Sequence, residues 1–226
     1  MGLKINDTIR ATRVGGRRPL SAIRAIVFHY TANTGQHATA LGNARYFANG
    51  SEGRAASAHF VVDEGDTVYQ CVPLDMVAWA VGDGQSGKFG KVYSNYNTVS
   101  IEMVSHTDAS GKYYIPEATM KNAARLYQML LKQLPGVRAA IRHYDISMKL
   151  CPLPLIDETK WEAFKKLLEE VDEVVTKAKM IVDGKEIEVE RILKDGTNYI
   201  KIRDIAKALD LEVSNKGNIP ILSHKQ

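Results

Sequence analysis

Residues 24–30, Arg-Ala-Ile-Val-Phe-His-Tyr, constrain the fold more than any other segment. The run is apolar and β-branched and follows a Gly-Gly-Arg-Arg-Pro loop. It reads as a buried strand with His29 near its C-terminal end. Residues 57–63 and 67–72 read as two more strands, joined into a hairpin by the turn Glu64-Gly65-Asp66. Residues 98–104 and 139–143 add two further strands. Residues 38–48 and 116–134 carry apolar side chains at helical spacing. Asn49-Gly50 stops the first helix; Pro116 opens the second and Pro135-Gly136 ends it. Strands interspersed with helices predict an α/β domain, a central mixed β-sheet flanked by helices.

The texture then changes. Residues 158–179 read as a charged amphipathic helix. Residues 181–202 read as short strands split by turns at Asp183-Gly184 and Asp195-Gly196, and 203–209 as a helix. A boundary near residue 175 follows, giving a first domain over 1–175 and a small α+β domain over 176–226. Residues 82–97, rich in Gly, Ser, Asn and Tyr, and the Pro-rich stretch 151–154 read as loops.

With 226 residues the chain has room for one domain and a small appendage. Its net charge of +4 is too small to argue for a nucleic-acid partner, though it would help dwelling on an anionic surface such as a bacterial wall. No stretch is long and apolar enough to insert in a membrane, and residues 1–13 have no apolar core of signal-peptide type. Synthesis in a cytosol without a leader is therefore expected. The two cysteines, Cys71 and Cys151, form no disulfide framework.

Three residues carry the chemistry: His29, His143 and Cys151. Each falls at a strand end or in the loop beyond one. A catalytic zinc uses three imidazole, thiolate or carboxylate ligands and one open position. Core histidines and a buried thiol would also account for them. Glu102 lies inside an apolar strand, where a carboxylate is costly without a partner, so it reads either as half of a buried salt bridge or as a general base. Lys149 reads as a solvated loop residue or as a donor to an oxyanion. Trp79 reads as a core residue or part of a groove. His37, His106 and His224 read as surface residues.

In this order, the segments IVFHYTAN, SAHFVVDEGDTVYQCV, NTVSIEMV and IRHYDISMKLCP resemble the N-acetylmuramoyl-L-alanine amidases of phage endolysins, whose fold is shared with peptidoglycan recognition proteins. The resemblance covers about residues 20–168. It implies one Zn2+ held by His29, His143 and Cys151, a general base at Glu102 and an electrophile at Lys149. The implied reaction is hydrolysis of the amide between N-acetylmuramic acid and L-alanine in peptidoglycan. The implied setting is a phage or prophage endolysin, made in the host cytoplasm and acting on the wall after release. Trp79 and His59 are the substrate-binding candidates, although His59 also reads as a structural residue. Two positions depart from some relatives: Ala58 stands where they have Tyr, and Ala80 where they have His. Residues 181–213 resemble a stalk-type domain related to the N-terminal part of copper amine oxidases. That implies wall attachment or homo-oligomerisation, with no metal of its own. The rivals are a non-catalytic peptidoglycan-binding module of the same fold, a host sporulation autolysin, and a zinc amidase or peptidase with another substrate. Cys151 and Lys149 argue against the binding module.

Overall fold

The computed structural model describes residues 3–35, 38–169, 175–194 and 197–224, so His37 and the expected turn at Asp195-Gly196 lie outside the described residues. The chain divides into two compact units, Met1–Val171 and Asp172–Gln226. The first contains β1 (Lys4–Asn6), β2 (Ala25–Tyr30), α1 (Ala40–Ala48), β3 (Phe60–Val62), β4 (Thr67–Gln70), β5 (Thr98–Met103), β6 (His106–Thr107), β7 (Tyr113–Tyr114), α2 (Glu117–Gln133), β8 (Ala139–Arg142), α3 (Tyr144–Ser147) and α4 (Glu158–Glu169).

Six strands form one mixed sheet in the order β1-β4-β3-β5-β2-β8. β2 lies between β5 and β8 and pairs with both in parallel. The hairpin expected from Glu64-Gly65-Asp66 is the antiparallel pair β3–β4. α1 begins at Thr39, whose hydroxyl accepts from the Gly42 N–H at 3.0 Å, and stops at Asn49-Gly50, where Gly50 takes φ 83°.

Strand alternation divides the core between the two sheet faces. On one face Ile26 and Phe28, with Val99, Ile101 and Met103, pack against Leu126 and Leu130 of α2 and against Trp161, Phe164 and Leu168 of α4. The Phe28 ring meets Tyr127, Trp161 and Phe164 at centroid distances of 6.0, 6.1 and 5.0 Å. On the other face Ala25 and Val27 pack with Val81, Ile141 and Ile146, and α1 covers Val61 through Ala40, Ala44 and Phe47. His29 and Glu102 belong to this second face, one position on from Phe28 and Ile101.

The second unit contains β9 (Val175–Val182), β10 (Lys185–Lys194), β11 (Thr197–Ile200), α5 (Ile202–Ala208), β12 (Leu211–Lys216) and β13 (Ile219–His224). β9, β10 and β11 form an antiparallel sheet, and β12–β13 a separate hairpin. This corrects the helix expected over 158–179: α4 ends at Glu169, and 175–182 are extended. Val175, Thr176, Ile181 and Val182 are β-branched and favour a pleated surface. The lysines that looked like the polar stripe of a helix make cross-strand ion pairs instead, Lys177 with Glu188 at 2.8 Å and Lys179 with Glu186 at 2.7 Å. The turn at Asp183-Gly184 is present, with φ of 48° and 76°. Among the described residues, no helix is long and apolar enough to cross a membrane.

The aromatic cluster beneath β2 gives a direct test. Phe28→Ala should cost about 3–5 kcal/mol, because the ring is fully enclosed and the cavity cannot collapse between α2, α4 and the sheet. Urea unfolding of the variant against the parent measures it.

Candidate functional site

The carboxyl ends of β2, β5 and β8 converge at one edge of the sheet, the place where parallel strands of α/β folds present their functional side chains. His29 and Glu102 are register partners across β2 and β5. His143 is the first residue beyond β8, and its N–H donates back to the Phe28 carbonyl at 3.3 Å. The segment from His143 to Cys151, expected to be a loop, makes the one-turn helix α3 and then reverses, with Met148 at φ 67°. The reversal is closed by Tyr144 N–H donating to the Cys151 carbonyl at 2.8 Å.

Arg142 holds this segment from below. Its guanidinium, 2% exposed, meets Asp145 at 2.9 Å and Glu158 at 2.9 Å, donates to the carbonyls of Leu155 and Ile156, and lies over the Trp161 ring. The chain on both sides of Cys151 is thereby tied to the sheet and to α4.

His29, His143 and Cys151 are all buried, and their ligand atoms lie within 4.8 Å of one another. The His29 Nδ1 to Cys151 Sγ distance is 3.7 Å. A tetrahedral ion bound to nitrogen at about 2.0 Å and sulfur at about 2.3 Å sets such atoms roughly 3.5 Å apart. His143 Nδ1 and His29 Nε2 are buried without any hydrogen-bond partner. An orphaned buried lone pair is uncommon and costly, and a cation between the three side chains, facing the His29 Nδ1 that lies beside Cys151, would satisfy His143 Nδ1. Burial, then the neighbouring His143 and Lys149, holds His29 well below the usual imidazole range, so it stays neutral with a lone pair to give. Burial, then the Glu102 charge, pushes the Cys151 thiol far up. Without a cation this sulfur keeps its proton; a bound cation would release it. The donor set therefore fits a metal ion.

Glu102 is half-buried, but its Oε2 is closed off from solvent and has no hydrogen-bond partner. Burial pushes its carboxyl up to about 8, against an opposing pull from Lys149. It is therefore not the salt-bridge half considered above, since no cation contacts it among the described residues. The Lys149 ammonium lies 3.4 Å from Asp83 Oδ2, on a side chain 59% exposed.

Asp83 was not singled out in the sequence. Its Oδ1 accepts from His143 Nε2 at 2.6 Å. Burial pushes its carboxyl up, but His143 and Lys149 outweigh this and hold it below the usual range. It sits among the glycines and polar residues of the 82–97 loop, and nothing in the local sequence separates it from an ordinary turn aspartate. Arg18 was missed for the same reason. It is buried and donates to the carbonyls of Thr98, Tyr96 and Leu74 at 2.7, 2.8 and 3.2 Å.

The two substrate-binding candidates are not among the three converging ligands. His59 is 1% exposed. Its Nδ1 accepts from the Ser100 N–H at 3.1 Å, and its Nε2 lies 2.7 Å from Arg18 and 3.2 Å from the Met76 carbonyl. Burial and the Arg18 charge lower its ring to about 3. No ring atom is free for a substrate, and His59 is a structural member of the Arg18 network. Trp79 is 44% exposed, and its backbone N–H donates to the Ser57 hydroxyl. A cleft of about 490 Å³ runs past Val81, Gly82, Gly84 and Asn95, and Trp79 is not among its lining residues. His106 is paired with Glu64 at 3.0 Å, and His224 is exposed.

A family profile for N-acetylmuramoyl-L-alanine amidases, Amidase_2, matches residues 19–154. The chain is 30% identical to the N-acetylmuramoyl-L-alanine amidase CwlL of Bacillus licheniformis over 200 residues, 84% of this chain and 53% of that protein. It is 32% identical to CwlH of Bacillus subtilis over 141 residues, 62% of this chain and 50% of that one. The chain thus spans about half the length of the curated relatives it matches. Among solved structures, PlyL aligns over 74% of this chain and 96% of that one, at TM-score 0.53 and 21% identity. The PlyG catalytic domain aligns over 74% of this chain and 94% of that one, at TM-score 0.53 and 22% identity. These likenesses establish the shared fold.

The raised carboxyl of Glu102 sets a pH dependence of stability. Folded and metal-free, it keeps its proton to about 8, against 4.5 for an ordinary glutamate. Between these values the folded state binds more protons than the unfolded one, so stability falls as pH rises. Thermal melts of chelator-treated protein from about pH 5 to about pH 8 should lose on the order of 1 kcal/mol or more from this group. Glu102→Gln should flatten that slope; an unchanged slope would place the carboxyl in the ordinary range.

Proposed function

The chain belongs to the N-acetylmuramoyl-L-alanine amidase family, and we propose that it hydrolyses the amide between N-acetylmuramic acid and L-alanine in peptidoglycan with one zinc ion. One observation carries the reading: two imidazoles and a thiol, drawn from β2, the end of β8 and the turn after α3, converge with their ligand atoms within 4.8 Å of one another, and the buried His143 Nδ1 among them has no hydrogen-bond partner. Nitrogen and sulfur ligands of this kind favour zinc over magnesium or calcium, which prefer oxygen. His29, His143 and Cys151 would hold it and leave one position open. When bound, zinc supplies Lewis acidity, polarising the scissile carbonyl and lowering the pKa of water.

The other roles belong to the chain's own side chains. Glu102 stands beside His29 with an unpartnered oxygen and a carboxyl poised near neutrality, as a general base for the attacking water requires. It takes the water's proton and passes it to the departing alanine amine. The Lys149 ammonium, close to the cluster and exposed toward solvent, steadies the oxyanion that forms as water adds to the carbonyl. Ala58 stands where some relatives have Tyr, so the work falls on Glu102, and Ala80 leaves out the substrate contact that a His would make there.

For the setting, we propose lysis of a bacterial host by a phage or prophage endolysin, with a host autolysin as the alternative. Induction of the transcript together with prophage genes would distinguish them. The second unit, Asp172–Gln226, we assign to wall attachment or self-association.

The protein should carry about one zinc, and chelation should abolish wall digestion until zinc is restored. Ala at His29, His143 or Cys151 should lose the metal. Glu102→Gln and Lys149→Ala should keep zinc and melting temperature, yet each should lower turnover on a soluble muropeptide by on the order of a hundredfold. New L-alanine amino termini in the digest support amide cleavage; new reducing sugar ends would instead mean a glycosidase. A chelated sample that digests walls at full rate would sink the zinc mechanism.

Shortening the chain to Met1–Val171 should leave zinc binding and muropeptide cleavage intact while slowing lysis of whole cells. Equal lysis by both forms would leave only self-association for the second unit, which sedimentation would then have to detect.

A further inference from the structure

We infer that Asp83 is a positioning residue, one carboxylate oxygen setting the ring tautomer of His143 and the other the place of the Lys149 ammonium. The inference rests on the zinc-amidase reading for the task those two groups perform, but not for the geometry. Asp83 Oδ1 lies 2.6 Å from His143 Nε2, and Oδ2 lies 3.4 Å from Lys149 Nζ. A carboxylate only accepts hydrogen bonds, so the imidazole proton sits on Nε2 and Nδ1 keeps its lone pair. That Nδ1 is the buried atom without a partner, and His143 is the ligand whose ring faces His29 at a centroid distance of 4.8 Å. A carboxylate behind a metal-ligating imidazole fixes its orientation and raises its basicity.

The loop that carries Asp83 is seated on the segment it orients. Gly87 N–H donates to the Ile146 carbonyl and Phe89 N–H to the Asp145 carbonyl, both at 2.8 Å. The Ala80 and Val81 N–H groups are held by Asn95 Oδ1 at 3.0 and 2.7 Å. A Cβ on Gly87 would come within 2.5 Å of the Asp145 carbonyl oxygen, so this close approach requires glycine. These bonds fix the backbone on both sides of the Asp83 turn and deliver its side chain to His143. The Asp83–Lys149 pair is exposed on both sides, and pairs of that kind stabilise folds by at most about 1 kcal/mol. Its consequence is where Lys149 rests, on a side chain that would otherwise range through solvent.

The test uses the full chain with Asp83→Asn, Asp83→Ala, and Asp83→Ala combined with Lys149→Ala. Zinc affinity, read by competition with a chromophoric chelator, should weaken roughly 10- to 100-fold in the Ala variant. Side-chain 15N shifts of metal-free protein should show His143 as the Nε2–H tautomer in the parent and a mixture in the Ala variant. Melting temperatures of metal-free protein should stay within a few degrees, and Asp83→Asn, which keeps the shape, guards against misfolding. At saturating zinc, kcat on muropeptide should fall with little change in KM. That fall should shrink in the Lys149→Ala background, while the loss of zinc affinity persists. A parent that binds zinc but leaves muropeptides intact would refute the amidase reading alone, because the affinity and tautomer measurements still decide the role of Asp83. Parental zinc affinity and an unaltered tautomer in a folded Asp83→Ala protein overturn the inference.

Discussion

Parallel pairing of β2 with β5 on one side and β8 on the other is the constraint on which the site depends. A pleated strand alternates its side chains, so once Phe28 and Ile101 are committed to the aromatic core, His29 and Glu102 must stand together on the opposite face. A one-residue slip of β5 would move Glu102 into the cluster of Phe164 and Leu130. Register is held against that slip by buried apolar contacts on both faces, among them Val99 and Met103 beneath and Val27 above.

What that face collects is electrostatically unfinished. Two imidazoles kept neutral by burial, a thiol kept protonated and a carboxyl raised to about 8 all avoid charge where water is scarce. Four polar groups gathered with only the His29–Cys151 contact between them and with His143 Nδ1 and Glu102 Oε2 unpartnered would be a liability in a plain core. They make sense around a cation, whose charge would favour the thiolate and the carboxylate together. Contrast the Arg142–Asp145–Glu158 cluster a few residues away, where every charge is partnered and the role is structural. The same chain thus contains one polar cluster closed on itself and another left open.

Connections rather than regular elements finish the site. The turn after α3 brings Cys151 back beside Tyr30, and the glycine-bearing loop from Gly82 delivers Asp83 behind His143. Both take much of their order from backbone hydrogen bonds to α3 and the residues around it. Precision of about an ångström at a ligand atom is obtained there by hydrogen bonding and by the absence of a Cβ at Gly87, where a larger residue would meet carbonyl oxygen.

The sequence by itself determined β2, β3, β4, β5, β8, α1 and α2 of the first unit, because apolar periodicity and the breakers Asn49-Gly50, Pro116 and Pro135-Gly136 act locally, while the short β1, β6, β7 and α3 carry no such signal. It also singled out His29, His143, Cys151, Glu102 and Lys149, since their residue types and order match a motif that recurs. It failed where a charged, β-branched stretch suits either helix or strand: residues 175–182 became β9 because they pair along their whole length with β10, Lys177 and Lys179 standing opposite glutamates. It left His59 open between a structural and a substrate-binding role, and it passed over Asp83, whose neighbours suggested nothing. Arg18 is 41 residues from His59 and Asp83 is 60 from His143. Only the folded chain decides such pairs, because a hydrogen bond depends on distance in space, and no local pattern of residues encodes which distant partner the sheet will bring within reach.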